Sequence, residues 1–259
     1  MKKLIPQIVF PLMGLAIVIA GWQAIIVFGH VQPYIAPRPG AAISAIFSKW
    51  SQIWPLTWTT ICETVYGFLA GASVGFLLAL AMAKVSIINK MLYPLLVFSQ
   101  AIPVIALAPP LVLIFAFSMT PKILVVAWIV FFPVTVAAVD GLAHVDRDYH
   151  QLATVLGAKP SRTFVLIELP AIVTPLFSGL RIGATYAVTG AIIGEAATGG
   201  GATLAQYQHD AATNFQTQVV YGTTIVMALI GIACFAVVSA IEYAVTPWQR
   251  RSTARRRKA

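Results

Sequence analysis

The chain is short of charge, and shorter still of acid. Of its 259 residues only 10% are Asp, Glu, Lys or Arg, against 59% hydrophobic, and the acids number eight. Soluble domains carry about 25% charge. One globular core cannot hide so much apolar surface, so lipid must cover much of it. Cysteine is almost missing. Cys62 and Cys234 both fall in apolar stretches, with neither metal-ligand spacing nor a disulfide framework, and read as small packing residues. No G-x-x-x-x-G-K-[ST] occurs, and Gly157-Ala158-Lys159 has no Gly five residues ahead of it, so a P-loop is excluded. There is no H-E-x-x-H and no Cys/His cluster; His30, His144, His150 and His209 are scattered. No Ser or Cys has a base at nucleophile spacing. The expectation is a non-catalytic chain with no metal and no cofactor of its own.

Long apolar runs are abundant, and the mean hydropathy is +0.86. A spanning helix needs about 20 apolar residues. By that measure about six spans are predicted, near Ile8–Phe28, Trp58–Ala83, Met91–Phe117, Ile123–Leu142, Pro175–Ala197 and Val219–Val245. The first follows Lys2 and Lys3 as a signal peptide would, but its run is too long and no small-x-small cleavage site follows; it reads as a retained anchor, residues 1–32. Residues 33–57 read as an extracytoplasmic loop. In it Pro37-Arg38-Pro39-Gly40 forms a turn, and Ala42, Ile43, Ala45, Ile46 and Phe47 recur at near-helical spacing, as in a short helix lying on the membrane surface. Residues 58–246 form the core, with a cytoplasmic loop over 143–170, and 247–259 a basic tail.

Charge sets the orientation. With the N-terminus inside, the inner segments hold Lys2, Lys3, Lys84, Lys90, Arg147, Lys159, Arg162, Arg250, Arg251, Arg255, Arg256, Arg257 and Lys258. The outer ones hold Arg38, Lys49 and Lys122. This positive-inside bias places both termini in the cytoplasm. The basic tail suits anionic lipid headgroups rather than nucleic acid, since the net charge of +9 is concentrated there without aromatic interleaving beyond Trp248.

Small residues recur every fourth position at Gly67, Gly71 and Gly75, and along Gly179, Gly183, Ala187, Gly190 and Gly194. Such stripes let helices pack closely in lipid, either within the chain or at a seam with a second copy. Pro94, Pro103, Pro109 and Pro110 interrupt the third span. Broken backbone at membrane depth is tolerated where it is buried or lines a cavity, which makes Ser99, Gln100 and Pro103 candidates for a translocation path. Ionisable groups within spans are costly and point to function. Here they are Glu63, Arg181, Glu195 and Glu242. Arg181 either pairs with a carboxylate or lines the inner mouth, and Glu195 either faces a vestibule or caps a loop. Asp140, Asp146 and Asp148 read as caps of the next helix rather than a catalytic pair.

The polar segment Gln151–Pro170 lies between the fourth and fifth spans. A short charged helix, a Gly turn and re-entry at a Pro make it a docking element. Gln151, Leu152, Ala153, Gly157, Ile167, Leu169 and Pro170 keep the spacing of the coupling motif of binding-protein-dependent ABC importer permeases, which the chain resembles from about Pro33 to Trp248. Gln and Leu stand at the first two motif positions, where Glu and Ala are usual. The resemblance is to the nitrate, sulfonate and taurine subfamily, which includes vitamin and pyrimidine-precursor carriers. It is carried also by Ala36-Pro37-Arg38-Pro39, Gln100-Ala101-Ile102-Pro103, Ala106-Leu107-Ala108-Pro109, Ser178-Gly179-Leu180-Arg181-Ile182-Gly183 and Gly194-Glu195-Ala196. Ala116–Thr120 departs from it, where relatives carry a Gly-rich turn before the counterpart of Lys122.

The resemblance implies an all-α, polytopic bundle of type I importer architecture in the inner membrane. It implies a second, identical permease chain, a dimer of ABC ATPases holding ATP and Mg, and a solute-binding protein. A coupling helix near Arg147–Leu156 would enter a cleft in each ATPase. The substrate would be a small organic solute, such as a vitamin or pyrimidine precursor, a sulfonate or taurine, or else nitrate. An ion-coupled secondary transporter or a channel subunit is the alternative from composition alone.

Overall fold

Prolines and glycines decide where each apolar run becomes a helix. The computed structural model describes residues 4–145, 147–199 and 202–247, and among these the regular structure is helical throughout. The basic tail beyond Pro247, Lys2, Lys3, Asp146 and the Gly200-Gly201 pair lie outside the described residues.

Helix α1 covers Leu4–Phe28 and α2 covers Pro39–Ser48, with Pro at its first turn. Helix α3 runs from Trp50 to Lys84. It begins eight residues ahead of the expected Trp58. Pro55 is tolerated in its first turns, and Trp50, Trp54 and Trp58 stack at i, i+4 spacing with ring centroids 5.4 and 6.3 Å apart. Met91–Phe117, expected as a span interrupted by its prolines, is in two pieces. Helix α4 (Ser86–Ser99), then a 3₁₀ turn (Val104–Leu107) and α5 (Ala108–Phe115), bend by 98°. Pro103, Pro109 and Pro110 carry no N–H, so no continuous ladder can cross this region. Pro94 sits inside α4 without ending it.

Ser118 caps α6 (Met119–Ala143) by accepting from the Thr120 N–H. Helix α7 covers Arg147–Val155, and α8 covers Pro160–Thr163. A π-helical turn at Phe164–Glu168 leads into α9 (Leu169–Thr198). Helix α10 (Leu204–Thr213) lies between the expected fifth and sixth spans and precedes α11 (Thr217–Val245).

Among the described residues four helical stretches are long and apolar enough to cross a membrane: Trp50–Lys84, Met119–Ala143, Ser161–Thr198 and Thr217–Val245. The bent α4–α5 pair makes a fifth if it is one span. Leu12–Phe28 of α1 is a shorter apolar stretch.

The contacts divide into two compact units. Among the described residues, one unit comprises 4–58 and 202–228, the other 59–145, 147–199 and 229–247. In the first, Gly222 of α11 admits α2 so closely that a Cβ there would lie 3.0 Å from the Ala42 carbonyl oxygen. Trp22 stacks on Tyr221 at 5.6 Å, and the Tyr207 hydroxyl donates to Gln52 at 3.1 Å.

In the second unit α6 is the central helix. Its Val125, Val126, Val130, Val134 and Ala138 are fully buried. Gly67, Gly71 and Gly75 of α3 face it from one side, meeting Val126, Ala127 and Phe131 in turn. Gly179, Gly183, Gly190 and Gly194 of α9 face it from the other, meeting Val134, Val130, Val126 and Lys122. Within this chain, then, both glycine stripes close on the same neighbour. A second apolar cluster joins Ala79, Met82, Leu96, Val139 and Ile172, with Leu169 packed on it.

Candidate functional site

Two features of the second unit carry chemistry: a short helical knob between α6 and α9, and a charge cluster inside the bundle.

The knob is α7. Its last turn is closed by a Schellman arrangement: the Gly157 N–H donates to the Thr154 carbonyl at 3.0 Å and the Ala158 N–H to the Ala153 carbonyl at 2.9 Å. This requires a left-handed residue, and Gly157 has φ +66°. A β-carbon there would strain the backbone although the space around it is empty. Ala153 is buried, whereas Tyr149, Leu152, Val155 (83% exposed) and Leu156 (75% exposed) leave apolar side chains uncovered. Gln151 and Pro170 are exposed, and Ile167 and Leu169 half-buried.

The return from the knob is equally specified. Pro170 cannot donate to the carbonyl four residues back, and its ring disfavours the regular α-turn before it. The backbone answers with the π turn, in which the Leu169 N–H reaches five residues back to the Phe164 carbonyl. The Lys84 ammonium at the end of α3 lies 5.0 Å from the centre of the Phe164 ring. This cation–π contact ties the turn to the bundle. The motif residues thus build a capped helix, a turn and a rigid return rather than a loose loop.

The charge cluster joins α3, α6 and α9. The Lys122 ammonium lies 3.0 Å from a Glu63 carboxylate oxygen, with side chains 7% and 0% exposed. Glu195 is buried beside them and accepts the Thr60 hydroxyl at 2.5 Å. Thr64, one turn along, turns its hydroxyl back to the Thr60 carbonyl. Lower down, Arg181 of α9 meets Glu242 of α11 at 3.3 Å, partly in the open.

Of the path candidates, Ser99, Gln100 and Pro103 lie together at the end of α4 and the bend after it, where Gln100 is exposed and donates to Ser99 at 3.3 Å. Arg181 and Glu195 stand about 21 Å apart along α9 at 1.5 Å per residue and belong to separate polar groups. The sequence reading did not join Lys122 and Thr60 to the site. A signal was available: Glu63 lies near the start of the expected span Trp58–Ala83, Lys122 just ahead of Ile123–Leu142 and Glu195 near the end of Pro175–Ala197, so the three sit at a similar depth, and charges in lipid need one another. Among the described residues no group of His, Cys, Asp and Glu could hold a metal ion.

Residues 71–251 match the family described as binding-protein-dependent transport system inner membrane component. The chain belongs to this family. It is therefore an ABC importer permease: a non-catalytic, multi-pass subunit in the cell membrane. The permease is 37% identical, over 71% of its length and 76% of the relative's, to a probable ABC transporter permease protein of Haemophilus influenzae. It is 33% identical, over 85% of its length and 88% of the relative's, to the formylaminopyrimidine transport permease protein ThiX of Halalkalibacterium halodurans. A solved structure of an amino acid ABC transporter superposes with a TM-score of 0.60 at 16% identity, over 81% of the permease and 98% of that chain, which speaks to the fold alone.

Proposed function

We propose that the permease, paired with an identical copy, carries a small heteroaromatic solute across the inner membrane and is driven through α7 by a separate ATPase. The observation that carries this reading is the knob. It is short, closed at its C-terminal turn and topped by uncovered apolar side chains, which is the form a helix takes when a cleft in another protein is to grip it. A floppy loop would dissipate a push; a helix closed at its C-terminal end by a left-handed glycine, with the following return held by a π turn against Lys84, transmits it.

ATP and Mg belong on the partner. Their binding would draw two ATPases together and move the two knobs. The α6-centred bundle, stapled by its glycines and its buried charges, would move as one body, so that the seam between permease copies is the element with two states. In this reading the path runs past the bend that carries Gln100 and Pro103, while Arg181 pairs with Glu242 and Glu195 with Thr60. By the charge-based orientation the knob is cytoplasmic and the basic tail rests on anionic headgroups. The formylaminopyrimidine named for the relative at 33% identity supports a ring-shaped solute, and the family's dependence on a binding protein supports its delivery by one.

The test is co-purification and uptake. A cysteine at Val155 should cross-link to the ATPase. Gly157→Pro or Ala153→Arg should abolish both cross-linking and ATP-dependent uptake while the permease still inserts. Normal ATP-driven uptake by these variants, or uptake by vesicles lacking the ATPase, excludes the proposal and favours an ion-coupled carrier or a channel. A ligand screen of the solute-binding protein with formylaminopyrimidine, riboflavin, taurine, sulfonates and nitrate identifies the substrate.

A further inference from the structure

The first unit carries a feature that the transport reading does not use. Between the loop after α1, the end of α2 and the turn joining α10 to α11 lies a cavity of about 430 Å³, lined by Pro33, Tyr34, Lys49, Phe215, Gln216 and Thr217 among others. Its walls are held by cross-links. The Thr217 hydroxyl donates to the Pro33 carbonyl at 2.8 Å, and the Lys49 ammonium donates to the Gln216 side-chain oxygen at 2.7 Å.

Lys49 has a neutral partner there, and among the described residues it has no carboxylate within ion-pair distance. Its surroundings are short of acid altogether. Residues 1–58 contain no Asp or Glu, and residues 202–228 contain only Asp210, whose carboxylate accepts from Gln206 at 2.8 Å. The rim is also unusual. Phe215 has φ +54°, a conformation an aromatic residue adopts only where its surroundings impose it, and its ring is left 76% exposed. A cavity with a positive charge that has a neutral partner and no carboxylate, an acid-free wall and a strained aromatic on its edge has the chemistry of a receptor for a carboxylate borne on an apolar stem.

We propose that this cavity receives an acidic side chain of the solute-binding protein, with Lys49 as its counter-ion and Phe215 packing on its stem. The proposal rests on the importer reading, and on the orientation that puts Lys49 outside. It goes further in naming the surface and the sign of the charge that meets it.

The experiment uses the whole transporter, permease with ATPase, in lipid nanodiscs, with the solute-loaded binding protein titrated in and ATP hydrolysis recorded. Lys49→Glu should raise the half-stimulating concentration about tenfold or more and leave the maximal rate and the unstimulated rate in place. Lys49→Arg should be close to the parent. Phe215→Gly, which suits the left-handed backbone while deleting the ring, should weaken docking without lowering thermal stability. Parental stimulation should fall with added salt, and the Lys49→Glu curve should be less salt-sensitive. Equal stimulation of parent and Lys49→Glu overturns the docking proposal and leaves the importer reading standing. No stimulation of the parent overturns both. A shift of Lys49→Glu from two copies to one in native mass spectrometry would mean that a second permease occupies this face, and overturns it too.

Discussion

The Lys122 ammonium sits 3.0 Å from the Glu63 carboxylate with both side chains almost wholly buried, so α6 and α3 are joined by opposite charges inside the bundle. Removing one member of such a pair leaves the other charge uncompensated at a cost of about 3–5 kcal/mol, whereas replacing both by apolar groups is often nearly neutral. Lys122→Met should therefore lower the melting temperature of the purified permease sharply. Glu63→Leu combined with Lys122→Met should recover part of the loss. A single variant as stable as the parent would show that the pair is not closed in the membrane.

Gly71 and Gly75 set the approach of α3 to α6. A β-carbon on Gly71 would come 2.5 Å from the Ala127 carbonyl oxygen, and one on Gly75 2.6 Å from that of Phe131. Backbone cannot yield as a flexible side chain does. Gly71→Ala should cost about 1–3 kcal/mol of packing strain, outweighing the gain of about 1 kcal/mol that alanine brings to a helix. Gly21→Ala in α1, where nothing lies within 4 Å, is the matched control and should be neutral or slightly stabilising. Thermal unfolding in detergent reads both.

Gly157 separates shape from contact. A β-carbon added to its left-handed backbone would meet nothing within 4 Å, so any effect of substitution comes from the turn itself. Gly157→Asn should be tolerated, Gly157→Ala should cost about 1 kcal/mol, and Gly157→Val should be worse because a β-branched residue is poorly placed at positive φ. ATP-driven uptake should follow that order. Val155→Asp, which leaves the turn intact but puts a charge on the apolar top of α7, should reduce ATPase co-purification with little change in melting temperature.

Arg181 and Glu242 make a partly exposed pair, and exposed pairs contribute about 0–1 kcal/mol. Arg181→Ala should therefore change stability little. The exchange Arg181→Glu with Glu242→Arg should restore whatever uptake the single replacements lose. Uptake that stays low in the exchanged pair would assign Arg181 a role at the path itself.

Much of the architecture was legible in the residues. Apolar runs announce helices in lipid because no other open structure satisfies its backbone there. Helices α6 and α11 therefore begin and end close to the expected positions. The knob was legible because its parts are local: a polar helix, a glycine that only a left-handed turn requires, and a proline that forces the backbone to adjust. The prolines of Met91–Phe117 signalled a break, but not its 98° bend, since a missing N–H says where a ladder fails and not which way the chain then turns.

What the sequence alone determined is the kind of molecule and the rough depth of its groups: many-spanning, with one polar segment between the fourth and fifth expected spans, and with Glu63, Lys122 and Glu195 at a similar depth. What the tertiary structure decided is which faces meet. Depth follows from counting residues at 1.5 Å each along a helix, but the rotation of that helix about its own axis is fixed by its neighbours. Only packing against α6 turns Gly67, Gly71 and Gly75 inward, and only that rotation brings Glu63 to Lys122 and Glu195 to Thr60.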